Sequence, residues 1–224
     1  MSVRGLRWFF VAALGAVVVL PGVEGRATTG ISAEWINGYY RFTGGTTPGA
    51  IALALLVIGL YLVLLYSSRL STGQPLPGLL RRFVAFWCDF ILAMVVVVPI
   101  VGIFSALTEW RRTGVFAWTF VRTAYAAGDT LQVVIGSSCG ACALVLYFAI
   151  PLVRCRPSPG CCILGYQVLP QDGTTMTLRT AVLRTLLGLV AVSTAYVAPF
   201  ASRDRESGQF WLDKVFRTRA VRLA

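Results

Sequence analysis

Asp89 is the side chain with the most chemistry to offer, because of where it stands. It is the single charge inside the apolar run Phe83–Leu107, which opens behind Arg81 and Arg82. At about 1.5 Å per helical residue, such a run spans a bilayer core of about 30 Å. A carboxylate inside it costs about 2.5–3.5 kcal/mol on insertion scales, so something must hold it there. One use is a protonatable or cation-coordinating group on a transport path. The other is a structural lock, in which Asp89 pairs with Arg82, Arg184 or backbone donors and fixes helix packing. Arg82 and Asp89 are two helical turns apart on one face, with about 10 Å of rise between their backbones. Both side chains must therefore reach, or other groups must bridge them.

Two further patterns resemble catalytic motifs and read better as packing. Gly136-Ser137-Ser138-Cys139-Gly140 fits the G-x-S-x-G pattern of a serine nucleophile. That chemistry needs a base to activate the serine. The chain has no His, and its one Lys, Lys214, lies in the tail. Within an apolar helix the same residues form Gly136-x-x-x-Gly140, a small-residue face for close helix contact. Cys139-Gly140-Ala141-Cys142 likewise lies inside the helix, where Cys acts as a small hydrophobe. Cys155, Cys161 and Cys162 are three thiols without a fourth ligand. No P-loop or dinucleotide fingerprint occurs. The residues thus point to no enzyme, no cofactor and no metal.

The elements that position Asp89 follow from the apolar pattern. Residues 1–25 carry Arg4 and Arg7 before the short run Trp8–Leu20, the pattern of a signal peptide or an uncleaved signal-anchor. Residues 26–74 comprise an extracytoplasmic loop, whose Trp35, Tyr39, Tyr40 and Phe42 suit an interfacial belt, and the first span, Ala50–Tyr66. Residues 75–222 form the rest of the membrane domain. Arg69, Arg81 and Arg82 mark a cytoplasmic loop by the positive-inside rule, so the Phe83–Leu107 helix runs outward. Pro99 should kink it. Residues 108–130 mix charges with aromatics and read as an amphipathic segment in the outer interface. Leu131–Val153 returns to the cytoplasm. Leu178–Phe200 is short of uncharged length, and charge counting favours a re-entrant or interfacial helical hairpin with a cytoplasmic tail. Thr218–Leu223 alternates like a strand and can pair with Leu164–Leu169 if both lie on one side.

Composition agrees with that architecture. The chain is 57% hydrophobic and 13% charged, where a soluble domain carries about 25% charged residues. Its net charge of +11 comes from arginines in loops flanking apolar runs, which anionic lipid and orientation explain without nucleic acid. The reading is an all-α polytopic membrane protein. It has three spans, an N-terminal signal or anchor helix, a re-entrant or interfacial C-terminal hairpin, and segments able to form a small cytoplasmic strand pair. Its expected partners are the lipid bilayer and a membrane-protein partner or a second copy.

Four features occur in one order. They are Arg82-x-x-Ala85-x-x-x-Asp89; Pro159-Gly160 leading into Leu164-Gly165-Tyr166-Gln167-Val168 and Asp172-Gly173; Leu183-Arg184-Thr185-Leu186-Leu187; and Trp211-Leu212-Asp213-Lys214 before Thr218-Arg219-Ala220-Val221. Together they resemble the RDD family of membrane proteins over about residues 75–222. The arginine of that name matches Arg82, the first aspartate Asp89 and the second Asp213. The chain departs from many relatives at Cys161, where they carry Lys, at Leu212, where they carry His, and at Phe216 and Arg217, where they carry small residues. The resemblance implies a bacterial inner-membrane, multi-pass module that transports or couples to an unidentified ligand, cations or protons among the candidates. It makes Arg82, Asp89, Arg184 and Asp213 a candidate intramembrane charge cluster. The alternative is a non-catalytic scaffold or accessory subunit of a larger membrane complex.

Overall fold

A computed structural model describes residues 3–24, 29–66, 79–126, 128–194 and 211–222. The elements are α1 (Val3–Glu24), β1 (Gly30–Ile36), β2 (Tyr39–Gly45), α2 (Pro48–Tyr66), α3 (Leu79–Thr113), β3 (Thr119–Arg122), α4 (Asp129–Val153), α5 (Pro159–Ile163), β4 (Tyr166–Pro170), α6 (Leu178–Thr194), α7 (Trp211–Val215) and β5 (Thr218–Arg222). The protein is mostly helical. Three helices are long and apolar enough to cross a membrane, over Pro48–Tyr66, Leu80–Thr113 and Asp129–Val153. All three coincide with the expected spans and extend beyond them by a few residues. Thr47 caps α2, its hydroxyl accepting from the Ala50 N–H at 3.2 Å, with Pro48 at the first helical position. Gly114, at φ +74°, ends α3 through a bond from its N–H to the Trp110 carbonyl.

The chain divides into two compact units. One comprises Met1–Val11, Leu60–Phe90 and Val145–Ala224, the other Ala12–Gly59 and Ile91–Leu144.

In the second unit, β1, β2 and β3 form a three-stranded antiparallel sheet in that order. Residues 26–49, expected as a loop, instead hold a hairpin in which Trp35 pairs with Tyr40 and Ile36 with Tyr39. Its turn is Asn37-Gly38, both at positive φ, the chemistry a two-residue hairpin turn requires. The amphipathic segment expected at 108–130 is also revised. It splits into the last turns of α3, the strand β3 and the start of α4. The sheet closes on α3 at Gly102, where an added Cβ would overlap the Gly45 carbonyl. An all-α description therefore omits a sheet.

In the first unit, β4 pairs antiparallel with β5, from Tyr166 opposite Arg222 to Pro170 opposite Thr218. The strand segment expected at Leu164–Leu169 begins at Tyr166, because Ser158-Pro159 starts the short helix α5 first. Ala85, Tyr166 and Ala220 form one small core with Cys161, Leu164 and Val168 packed against it. Ala149, Met176 and Ala181 form another. Within Leu178–Phe200, the segment expected as a hairpin, α6 occupies Leu178–Thr194, and the rest lies outside the described residues.

Candidate functional site

The site around Asp89 is assembled in the first unit by α3, α4 and α5. Ser158 has extended backbone angles and caps α5, its hydroxyl accepting from the Cys161 N–H. Pro159 takes the first helical position, where its missing N–H is not needed. Gly160 then lies directly on α3. A Cβ there would overlap the Ala85 carbonyl oxygen and fall 2.8 Å from the Asp89 Cγ, so a side chain is excluded. This approach brings two donors to one carboxylate, and α4 adds a third. Ser158 Oγ donates to Asp89 Oδ2 at 2.5 Å. The Gly160 N–H donates to Oδ1 at 2.6 Å. The Tyr147 hydroxyl of α4 stands 3.5 Å from Oδ1. Asp89 is 3% exposed. Tyr147 is itself fixed by Tyr61 of α2, which stacks on it at 5.0 Å and donates to its backbone carbonyl at 2.7 Å.

Asp89 is thus held by uncharged donors, and the arginines go elsewhere. Arg82 Nη1 lies 2.5 Å from Asp213 Oδ2, and Arg184 Nη2 lies 2.8 Å from Asp213 Oδ1. The buried Thr218 hydroxyl adds a third donor, 3.1 Å from Oδ1. This gathers α3, α6, α7 and β5 on one carboxylate that is 1% exposed. Burial alone would push the Asp213 carboxyl up, but the guanidiniums of Arg184 and Arg82 outweigh it and hold it below the usual range. Of the four residues expected as one cluster, three come together, and Asp89 has a setting of its own. The physical reason is reach: two helical turns separate Arg82 from Asp89, whereas Asp213 is brought directly to the guanidinium by α7.

Burial pushes Cys161 and Cys162 each up to about 12, so both stay protonated at neutral pH. No group of three or more His, Cys, Asp or Glu able to hold a metal occurs among the described residues.

A second charge cluster, in the other unit, escapes the sequence reading. Arg122 of β3 lies between two acids. Its Nη2 is 2.5 Å from Asp129 Oδ1 and its Nε is 3.5 Å from Glu109 Oε2. Its guanidinium also stands over the Phe42 ring at 4.8 Å. Arg112 meets Glu109 from the rim. Burial, then a hydrogen bond to Asp129, pushes Tyr40 up to about 12. The available signal was the density of charges among aromatics in residues 108–130. In that unit also, Gly136 and Gly140 face α3: a Cβ on Gly140 would stand 3.2 Å from Val101 and 3.3 Å from Val97. Cys139 and Cys142 are exposed.

The family model described as "RDD family" matches residues 76–216. No curated protein and no solved structure matches the chain.

Proposed function

Since the chain belongs to the RDD family, we propose that this multi-pass membrane protein acts in transport or ion coupling, with Asp89 as its working carboxylate. One observation carries the reading. Asp89 is buried in a helix apolar and long enough to cross a bilayer, yet two of its three hydrogen bonds come from the short α5 turn. An aspartate held by neutral donors can exchange a proton or a cation without first breaking an ion pair. Asp213, held between Arg82 and Arg184, is the contrasting case. The protein is taken to act without catalysis. It is placed in the bacterial inner membrane with α1 as signal or anchor, the C-terminal segment as a re-entrant or interfacial hairpin, and β4–β5 on the cytoplasmic side.

The test is Asp89→Asn in proteoliposomes, with proton and monovalent-cation flux followed by trapped dyes. Flux should vanish while the purified protein keeps its wild-type melting temperature. Undiminished flux would exclude a working role for Asp89.

A scaffold or accessory role is the second reading. It is favoured by the exposed Leu183, Leu186, Leu187 and Val190 of α6, a face at helical spacing that lipid or a partner helix could cover. Extraction in mild detergent separates the readings: a stoichiometric membrane partner supports the scaffold, and its absence counts against it.

A further inference from the structure

α1 lies outside the matched family segment, yet it reaches the turn that covers Asp89. Arg7 Nε donates to the Ile163 carbonyl at 2.9 Å, across 156 residues of sequence. Ile163 closes α5, and the last carbonyls of a helix have no partner within it. A guanidinium at that end satisfies the carbonyl and places positive charge at the negative end of the turn. Leu6 and Phe10, four residues apart on one helical face, are 1% and 0% exposed. The chain then turns away at Gly165, φ +67°, where a Cβ would stand 3.8 Å from Arg7 Nη1. Arg7 thus grips one end of a five-residue helix whose other end, Ser158 and Gly160, donates to Asp89.

A discarded signal peptide uses its basic residues during export and has no packing role afterwards. Burial on one face and a hydrogen bond into a distant turn are what a permanent element requires. We infer that α1 remains in the mature protein and that Arg7 is a positioning residue, clamping α5 over Asp89. The consequence for ion movement rests on the function proposed above; the clamp itself does not.

The experiment has separate arms for the two. The full-length protein is purified from native membranes and its N-terminal peptide identified by mass spectrometry. Arg7 should be present; a mature chain beginning beyond Glu24 would overturn the inference outright. Alkylation by N-ethylmaleimide is then mapped at Cys161 and Cys162, on the α5 turn itself. Both should be protected in the wild type. Arg7→Ala should label about tenfold faster, the change in local opening that losing one charge-assisted hydrogen bond gives. Arg7→Lys, which keeps a cationic donor, should restore most of the protection. Equal labelling in wild type and Arg7→Ala would remove the clamp, and failure of Arg7→Lys to protect would remove the role of the charge. In proteoliposomes, Arg7→Ala should shift the pH midpoint of proton flux and Arg7→Lys should not. Absent wild-type flux would count against the transport reading while the labelling still judges the clamp.

Discussion

The two charge clusters of this protein are built on opposite plans. In one, two guanidiniums share one carboxylate: Arg82 and Arg184 on Asp213. In the other, two carboxylates share one guanidinium: Glu109 and Asp129 on Arg122. Each joins elements that local structure alone would leave apart. The first ties α3 and α6 to α7, the second ties α3 to β3 and α4. The plan decides what happens when the shared group is lost. Like charges are then left facing each other in a poorly hydrated setting, and the cost exceeds that of losing one attraction. In the first cluster acid acts on the shared group itself, Asp213.

The sharpest break is therefore Asp213→Ala. It leaves Arg82 and Arg184 facing each other in a site where the carboxylate was 1% exposed. Breaking a buried pair of this kind costs about 3–5 kcal/mol, so thermal unfolding in detergent should fall steeply or folded protein should not accumulate. The wild type supplies the pH form of the test. Asp213 is held below the usual carboxylate range, so its unfolded value is the higher one. Its stabilisation is complete above the ordinary range near pH 4 and is lost as pH falls through the lower folded value. A melting temperature of Asp213→Ala that fell in parallel with the wild type through that window would show that the cluster contributes nothing there.

Arg122→Gln removes the shared cation of the other cluster. Glu109 and Asp129, 8% and 2% exposed, then confront each other, at a cost of about 3 kcal/mol. The ring contacts of the guanidinium with Phe42 and Phe120 are lost as well. A stability of Arg122→Gln within about 0.5 kcal/mol of the wild type would show that the shared cation contributes nothing there. Arg112, with a side chain 48% exposed, belongs to the rim, and its removal should matter little.

These two clusters also mark what could be read from the sequence. The three spans were legible because apolar length alone decides them. The Asp213 cluster was legible only through the order of motifs. Its members are 131 and 29 residues apart, and no periodicity joins them. The same motifs led to Asp89 being placed with the arginines. Its real partners, Ser158 and the Gly160 N–H, depend on α5 resting its backbone on Ala85, and side-chain types do not encode that approach. The Arg122 cluster is hidden when residues 108–130 are taken as one amphipathic segment in the outer interface. Four residues of β3 carry too little pattern to reveal a strand that exists by pairing with β2. The hairpin itself was signalled by Asn37-Gly38. Its alternation was hidden, because residues 32–36 of β1 are exposed on both faces, leaving no apolar side to count.

The finest test of the comparison is Thr218→Val. The substitution keeps the branched shape and removes one hydroxyl from a site that is 0% exposed at Thr218. Asp213 Oδ1 loses a donor at 3.1 Å but keeps Arg184 on the same oxygen and Arg82 on the other. If the two guanidiniums dominate, the loss is close to that of one hydrogen bond, about 1 kcal/mol, and the acid response of the wild type persists. If the hydroxyl is instead what orients the carboxylate between the arginines, removing it should loosen both ion pairs. Thr218→Val would then approach Asp213→Ala in melting temperature. A double-mutant cycle of Thr218→Val with Arg184→Gln reads the difference directly. Additive effects make Thr218 an independent neighbour. Coupling above about 0.5 kcal/mol makes it part of the cluster, and the carboxylate then has three interdependent partners.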